Sequence, residues 1–283
     1  MLRPDANIAV VAPSGGFDEE RLLRGMAIAS DWGFVLHRMP SVGARWRYLA
    51  GDDATRRADL DEAFSGAYEA VWMARGGYGL ARLLRGIDLD RWARVPLIGF
   101  SDGTTLLNVL AAAGRPAVHG PVLTSLGDVV DDDSRAHLRA MLLGAPVGPM
   151  RGRTLVPGTA EGRLIGGNLC LMASACGTPW QVDARGAIVV IEEVGEAPYR
   201  VDRYLRQLLD SGALGGAAGF AVGELRGTQP PDGAAWGLDA LVLDALGGLG
   251  APIVVDLPIG HGPRNRAFPV GVRASLGEGA LCW

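Results

Sequence analysis

Short apolar runs alternate with stretches of helical spacing through the first half of the chain. Residues 8–12 are apolar without interruption, which predicts a buried strand. Over residues 19–32, Leu22, Leu23, Met26, Ala27 and Ala29 fall on one broad helical face. Residues 34–39 suggest the next strand, and residues 53–64 a helix with a carboxylate at its start. A strand over 69–74 runs into Arg75-Gly76-Gly77-Tyr78-Gly79. Another over 95–100 ends at Ser101, and a helix over 104–113 follows. This βαβα order predicts an α/β fold with a doubly wound parallel sheet and helices on both faces. Such sheets bind ligands beyond the carboxyl ends of their strands, and both the glycine-rich turn and Ser101 fall at such ends.

Between residues 144 and 158 glycine and proline cluster and no period is visible. This predicts a linker, 144–158, between an N-terminal domain (1–143) and a C-terminal one (159–283). In the second part strands are expected over 162–165, 187–191, 219–225 and 253–257, and helices over 168–175, 202–209 and 235–246. That makes a second α/β domain. No internal repeat is present.

A length of 283 residues suits two domains, and 48% hydrophobic residues can fill two cores. The net charge of -4 argues against a nucleic-acid partner. All 27 basic residues are arginine, so a Ser-Lys dyad, a Schiff-base lysine and a P-loop lysine are excluded. Cys170, Cys176 and Cys282 have neither a disulfide framework nor zinc-ligand spacing. They read as small buried apolar residues in a reducing compartment. The apolar run 8–13 is too short for a signal peptide, and no stretch approaches the roughly 20 apolar residues of a membrane span. The expectation is a cytoplasmic protein with no membrane partner.

Gly99-Phe100-Ser101-Asp102-Gly103 fits G-x-S-x-G. Glycines on both sides of a serine permit a tight strand-to-helix turn that exposes the hydroxyl and aims the next N–H at the same space. The other reading is a plain helix N-cap. A nucleophilic hydroxyl needs a base. Of four histidines, His37 has no polar neighbours in sequence that converge on it, and His137 falls on the solvated face of an amphipathic helix. His119 and His261 lie in glycine-proline loops after apolar runs, where functional side chains often sit. An imidazole base works best beside a carboxylate. Glu192 and Glu193 end the apolar run 187–191 and, by alternation, face opposite ways, so one of the two is expected at a site. The glycines of residues 75–79 expose backbone N–H groups that suit an oxyanion.

Six stretches in order resemble one family: Val11-Ala12-Pro13-Ser14-Gly15, Arg75-Gly76-Gly77-Tyr78-Gly79, Gly99-Phe100-Ser101-Asp102, Gly166-Gly167-Asn168-Leu169, residues 192–203 and residues 257–265. Together they are similar to the LD-carboxypeptidases of peptidase family S66, over about residues 8 to 273. The resemblance implies a serine peptidase with Ser101 as nucleophile, His261 as base and Glu192 as orienting acid, with Glu193 in place of the Asp or Thr that usually follows. It implies an oxyanion hole from the N–H groups of Asp102 and Gly77, and no metal or organic cofactor. It also implies a smaller C-terminal α/β domain of swivelling type, an active site at the domain interface, and a homodimer. Arg75, Tyr78 and Arg200 lie within these motifs and are candidates for binding substrate, with a guanidinium suited to a free carboxylate. Arg203 is expected to brace its helix. The implied substrate is a small muropeptide, with release of the C-terminal D-alanine of a murein tetrapeptide. An S66-type enzyme inactivating microcin-like peptide-nucleotides, an α/β-hydrolase esterase and a non-catalytic binding domain are the alternatives.

Overall fold

The computed structural model describes all 283 residues, which divide into two units. The first takes Met1–Val147 and regains the chain at Arg266–Pro269, and the second takes Gly148–Asn265 and Val270–Trp283.

The first unit alternates β1 (Asn7–Val11), α1 (Glu19–Asp31), β2 (Val35–Arg38), α2 (Asp53–Ala63), β3 (Ala70–Met73), β4 (Leu97–Gly99), α3 (Thr104–Ala112) and β5 (Ala117–His119). Helices α4 (Leu123–Leu126) and α5 (Asp132–Leu142) complete the continuous part. β1 pairs in parallel with β2 on one side and β3 on the other, and β4 and β5 extend the parallel array. The chain therefore reverses its direction of winding between β1 and β3. Ile8, Val10, Trp72 and Ile98 are wholly buried in this sheet. Each large apolar side chain so buried contributes roughly 1.5–3 kcal/mol. Acidic caps start the helices: Asp18 accepts from the N–H groups of Glu20 and Arg21, and Asp52 from that of Thr55.

The second unit is built on β6 (Met150–Arg151), β7 (Arg153–Val156), β8 (Thr159–Asn168), α6 (Leu169–Ser174), β9 (Ala187–Val194), α7 (Pro198–Asp210), β10 (Gly219–Arg226), α8 (Leu238–Leu246) and β11 (Ile253–Val255). β12 (Phe268–Val270) returns to the first sheet beside β5, and β13 (Arg273–Gly277) and β14 (Ala280–Cys282) close the second. The second sheet runs β6-β14-β13-β8-β9-β10-β11-β7, parallel in its centre and antiparallel at both margins. Val189, Phe220 and Ile253 sit in its core with Leu205 and Leu208 of α7.

Several elements depart from the sequence expectation. The stretch 144–158 holds β6 and β7, because Arg153-Thr154-Leu155-Val156 pairs with β11 at the sheet margin. β9 runs three residues past Ile191, which carries Glu192 and Glu193 into the sheet, both buried. The helix expected from residue 202 starts at Pro198, since a proline at the first helical position forfeits no hydrogen bond. Cys282 is exposed rather than buried, on the outward face of β14. No helix is long and apolar enough to cross a membrane.

Candidate active site

Ser101 follows β4 directly and has φ +58°, one of five non-glycine residues with positive φ. An N-capping serine has extended backbone, so this conformation does not fit a cap, and neither the short turn at Ser101–Gly103 nor α3 takes a side-chain cap. A left-handed serine at a strand end is the strained geometry of a nucleophile elbow. Its flanking glycines have a steric cause. A Cβ on Gly99 would lie 2.7 Å from Met73 Sδ, and one on Gly103 2.8 Å from the same atom.

The Asp102 side chain turns inward and is 1% exposed. Its Oδ2 accepts a 2.8 Å hydrogen bond from the Leu80 N–H, immediately after the glycine-rich turn. Burial raises its pKa above the ordinary carboxyl value, while the Ser14 hydroxyl, the Leu80 N–H and the Arg56 charge act in the other direction. Arg56 is itself wholly buried and donates to Pro13 O, Gly79 O and Gly51 O, besides pairing with Asp53. One buried acid and one buried base thus fasten the ends of β1, the glycine-rich turn and the elbow to one another.

Within that turn, Gly76 rather than Gly77 abuts the serine. A Cβ on Gly76 would come 2.8 Å from Ser101 Cβ and 3.2 Å from Ser101 Oγ. The Gly76 carbonyl accepts from the Gly15 N–H at 3.1 Å. The peptide is trans, so the Gly77 N–H points the opposite way, away from Gly15.

In the second unit Glu192 is wholly buried at the end of β9, level with Asn168 of β8. Its Oε2 lies 2.7 Å from Nδ1 of His261, and its Oε1 makes no hydrogen bond. A carboxylate so enclosed is costly unless its partner compensates, and that partner is the imidazole. Glu193 points elsewhere. It accepts from Asn168 Nδ2 at 3.0 Å and from the N–H groups of Val194 and Cys170, and so holds the start of α6. Burial raises its pKa, with the hydrogen bonds from Val194, Asn168 and Cys170 opposing. The His261 loop rests on Glu224 of β10: the Glu224 N–H donates to Ile259 O at 2.7 Å, and its Oε2 accepts from the Gly262 N–H at 2.8 Å. A Cβ on Gly260 would lie 2.6 Å from Glu224 Cβ, which explains the glycines on both sides of this histidine.

The other candidates take structural places. His119 ends β5, buried between the rings of Phe100 and Phe268. His137 is buried, contrary to the solvated face expected of it. The returning segment covers it, and its Nε2 lies 2.9 Å from Ala267 O. His37 does have a polar neighbour, Asn7 Oδ1 at 2.7 Å, across the β1–β2 pairing. Tyr78 is exposed beside Tyr48. Arg200 pairs with Glu196 and, like Arg203, lies over the Tyr199 ring. Arg75, exposed after the end of β3, donates to Gly16 O and lies along Gly15 and Gly77. Sequence reasoning missed Gly76, Arg56 and Glu224. Only Gly76 lay in a motif already singled out.

The first unit thus carries a left-handed serine at a strand end, and the second a histidine held by a buried carboxylate. Comparison with known proteins gives the class. The profile of LD-carboxypeptidase N-terminal domains matches residues 8–120, and that of the C-terminal domains residues 161–276. A putative carboxypeptidase of Synechocystis is 40% identical over 97% of this chain and 92% of its own. The murein tetrapeptide carboxypeptidase of Pseudomonas aeruginosa is 35% identical over 99% and 95%. The crystal structure of the muramoyltetrapeptide carboxypeptidase from Oxalobacter formigenes superposes with a TM-score of 0.88 at 28% identity, over 97% of each chain. The chain belongs to the LD-carboxypeptidase family, peptidase S66, whose members are serine-type hydrolases of peptide bonds.

Proposed function

We propose that the protein hydrolyses the L-D amide bond that carries the C-terminal D-alanine of murein tetrapeptides, with Ser101, His261 and Glu192 as its triad. The observation that carries this reading is the 2.7 Å contact between Glu192 Oε2 and His261 Nδ1 in a chain whose elbow serine has φ +58°. Glu192 fixes the tautomer that leaves Nε2 as the base and stabilises the imidazolium once it forms. His261 takes the Ser101 proton as Oγ attacks the carbonyl carbon. The N–H groups of Asp102 and Gly77 bind the oxyanion, each worth roughly 3 kcal/mol. His261 then protonates the leaving amine, and D-alanine departs. Water adds to the acyl-enzyme by the same route and releases the tripeptide, so one water is consumed for each D-alanine freed. Glu192 lies in the second sheet and His261 in a loop of the second unit, whereas Ser101 follows a strand of the first sheet, unlike the single sheet of an α/β-hydrolase esterase. The reading includes a cytoplasmic homodimer acting in peptidoglycan recycling.

The test is mass spectrometry of a murein tetrapeptide incubated with the protein and with Ser101→Ala. Loss of one D-alanine with the parent alone is expected. Intact tetrapeptide with both proteins would rule out the murein substrate.

A further inference from the structure

The second unit holds a cavity of about 440 Å³ between α7, α8 and the loop that leads into α8. Neither Glu192 nor His261 lines it. Pro198 and Tyr199 of α7, Leu241 of α8 and Trp236 of the loop give it apolar walls, and Asp202 and Asp244 are its only charged groups. Tyr199 and Trp236 are 57% and 43% exposed. A concave site of a few hundred Å³ with aromatic walls and a few convergent polar groups is the usual form of a small-molecule site.

The chain supplies no counter-charge to this cavity. Residues 229–237 and α8 contain no basic residue. On α7, Arg200 pairs with Glu196, and both Arg200 and Arg203 lie over the Tyr199 ring. Asp239, at the start of α8, is taken by Arg153. Asp202 and Asp244 are exposed and pair with no arginine, not even with Arg206 one turn beyond Asp202. Their placement is regular. β9, β10 and β11 are parallel neighbours, so the crossover helices α7 and α8 run side by side in one direction. Asp202 lies three residues past Tyr199, and Asp244 three past Leu241, each on the same helix face as its apolar neighbour. Each carboxylate is thus displaced toward the same end of the cavity, by roughly 4.5 Å along the helix axis.

Charge and shape select the ligand. An anion would meet two carboxylates, and a wholly apolar molecule would strip water from them without replacing it. A cation gains from both, and from the indole face of Trp236, the best of the aromatic partners for a cation. No arginine of the chain lies over that ring. We infer that this cavity binds a small organic ammonium ion. The apolar body of the ligand lies against Pro198, Tyr199 and Leu241, and the ammonium group lies toward Asp202 and Asp244, beside Trp236. A primary ammonium carries three N–H donors, enough for both carboxylates. The site uses no residue of the triad and does not depend on the peptidase reading.

The experiment compares three probes that share one body: phenethylamine, phenethyl alcohol and phenylacetate. Binding to the whole protein is followed by calorimetry and by the indole N–H signal of Trp236, identified by its loss in Trp236→Phe. The amine should bind about tenfold more tightly than the alcohol, as charge-assisted hydrogen bonds imply, and phenylacetate most weakly. Asp202→Asn and Asp244→Asn together should bring the amine down to the affinity of the alcohol. Trp236→Ala should weaken the amine and the alcohol alike. Binding of none of the three, or equal binding of all, overturns the site, and this comparison needs no variant to fold. A preference for the amine that survives the double asparagine variant places the ligand elsewhere and also overturns it. Self-association that Trp236→Ala abolishes, with no binding of the amine, would give the cavity to a second copy of the chain instead.

Discussion

The carboxylate of Glu224 accepts a 2.8 Å hydrogen bond from the backbone N–H of Gly262, the residue after His261. Glu224 also holds Ile259 through its own N–H, so the loop is fastened on both sides of the imidazole. Both of these contacts are with backbone atoms of the loop. Glu224→Ala should lower kcat by about tenfold or more with little change in KM, since small displacements at a reacting group are costly. Glu224→Gln keeps an oxygen for the Gly262 N–H and should recover most of the rate. Steady-state kinetics on the two variants checks both statements, and equal losses would point to a role for the charge itself.

Glu192 and Glu193 are neighbours with separate tasks. Glu192→Gln should cut kcat by roughly 10³–10⁴, because an amide facing Nδ1 favours the wrong tautomer. Glu193→Gln should leave the rate near that of the parent and lower Tm, since the Cys170 and Val194 N–H groups lose a charged acceptor. Rate and thermal unfolding measured on both variants should show this crossed pattern.

Gly76→Ala should remove most activity without unfolding the chain. Its added methyl would meet Ser101 Cβ at 2.8 Å and push the elbow out of line. A shift approaching 1 Å at a reacting group costs about 100-fold in rate. Circular dichroism would show native structure while tetrapeptide turnover falls. Full activity in this variant would remove the turn from the site.

Asp102 gives a pH-dependent signature. Burial raises its pKa above the ordinary carboxyl value, so the fold favours the protonated form. The stability it contributes is complete below the unfolded value and is lost as pH rises through the folded one. Asparagine does not titrate there, and its amide oxygen can still accept from Leu80. The Tm of Asp102→Asn relative to the parent should therefore increase between pH 4 and pH 7. A difference that stays constant across that range would contradict the assignment.

The parallel sheet of the first unit was legible because β1, β3 and β4 are apolar runs that lead into glycine-bearing turns, as at Val10-Val11 before residues 12–15 and at Ile98-Gly99 before Ser101. Ser101 and its glycines were legible for the same reason: a tight turn leaves a local mark. Choosing Glu192 over Glu193 needed the family resemblance, and the geometry of β9 shows which of them meets His261. Arg56 and Glu224 could not be found from sequence. Their roles come from fastening loops distant in the chain, and an arginine in α2 or a glutamate in β10 looks like any solvent-facing charge until the fold encloses it. His137 was misplaced because the residue that covers it, Ala267, is 130 positions away.

That covering segment has a bearing on how the chain is made. β12 flanks β5, and Phe268 packs on His119, yet both belong to the last eighth of the sequence. During synthesis the first 147 residues emerge with the β5 side of their sheet unpaired, a state prone to unwanted strand association. The first unit is finished only when Arg266–Pro269 leaves the ribosome, after nearly all of the second unit has been translated. An N-terminal fragment ending at Val147 would not be a free-standing module, and a relative's second half could be grafted on only if it brought this strand with it.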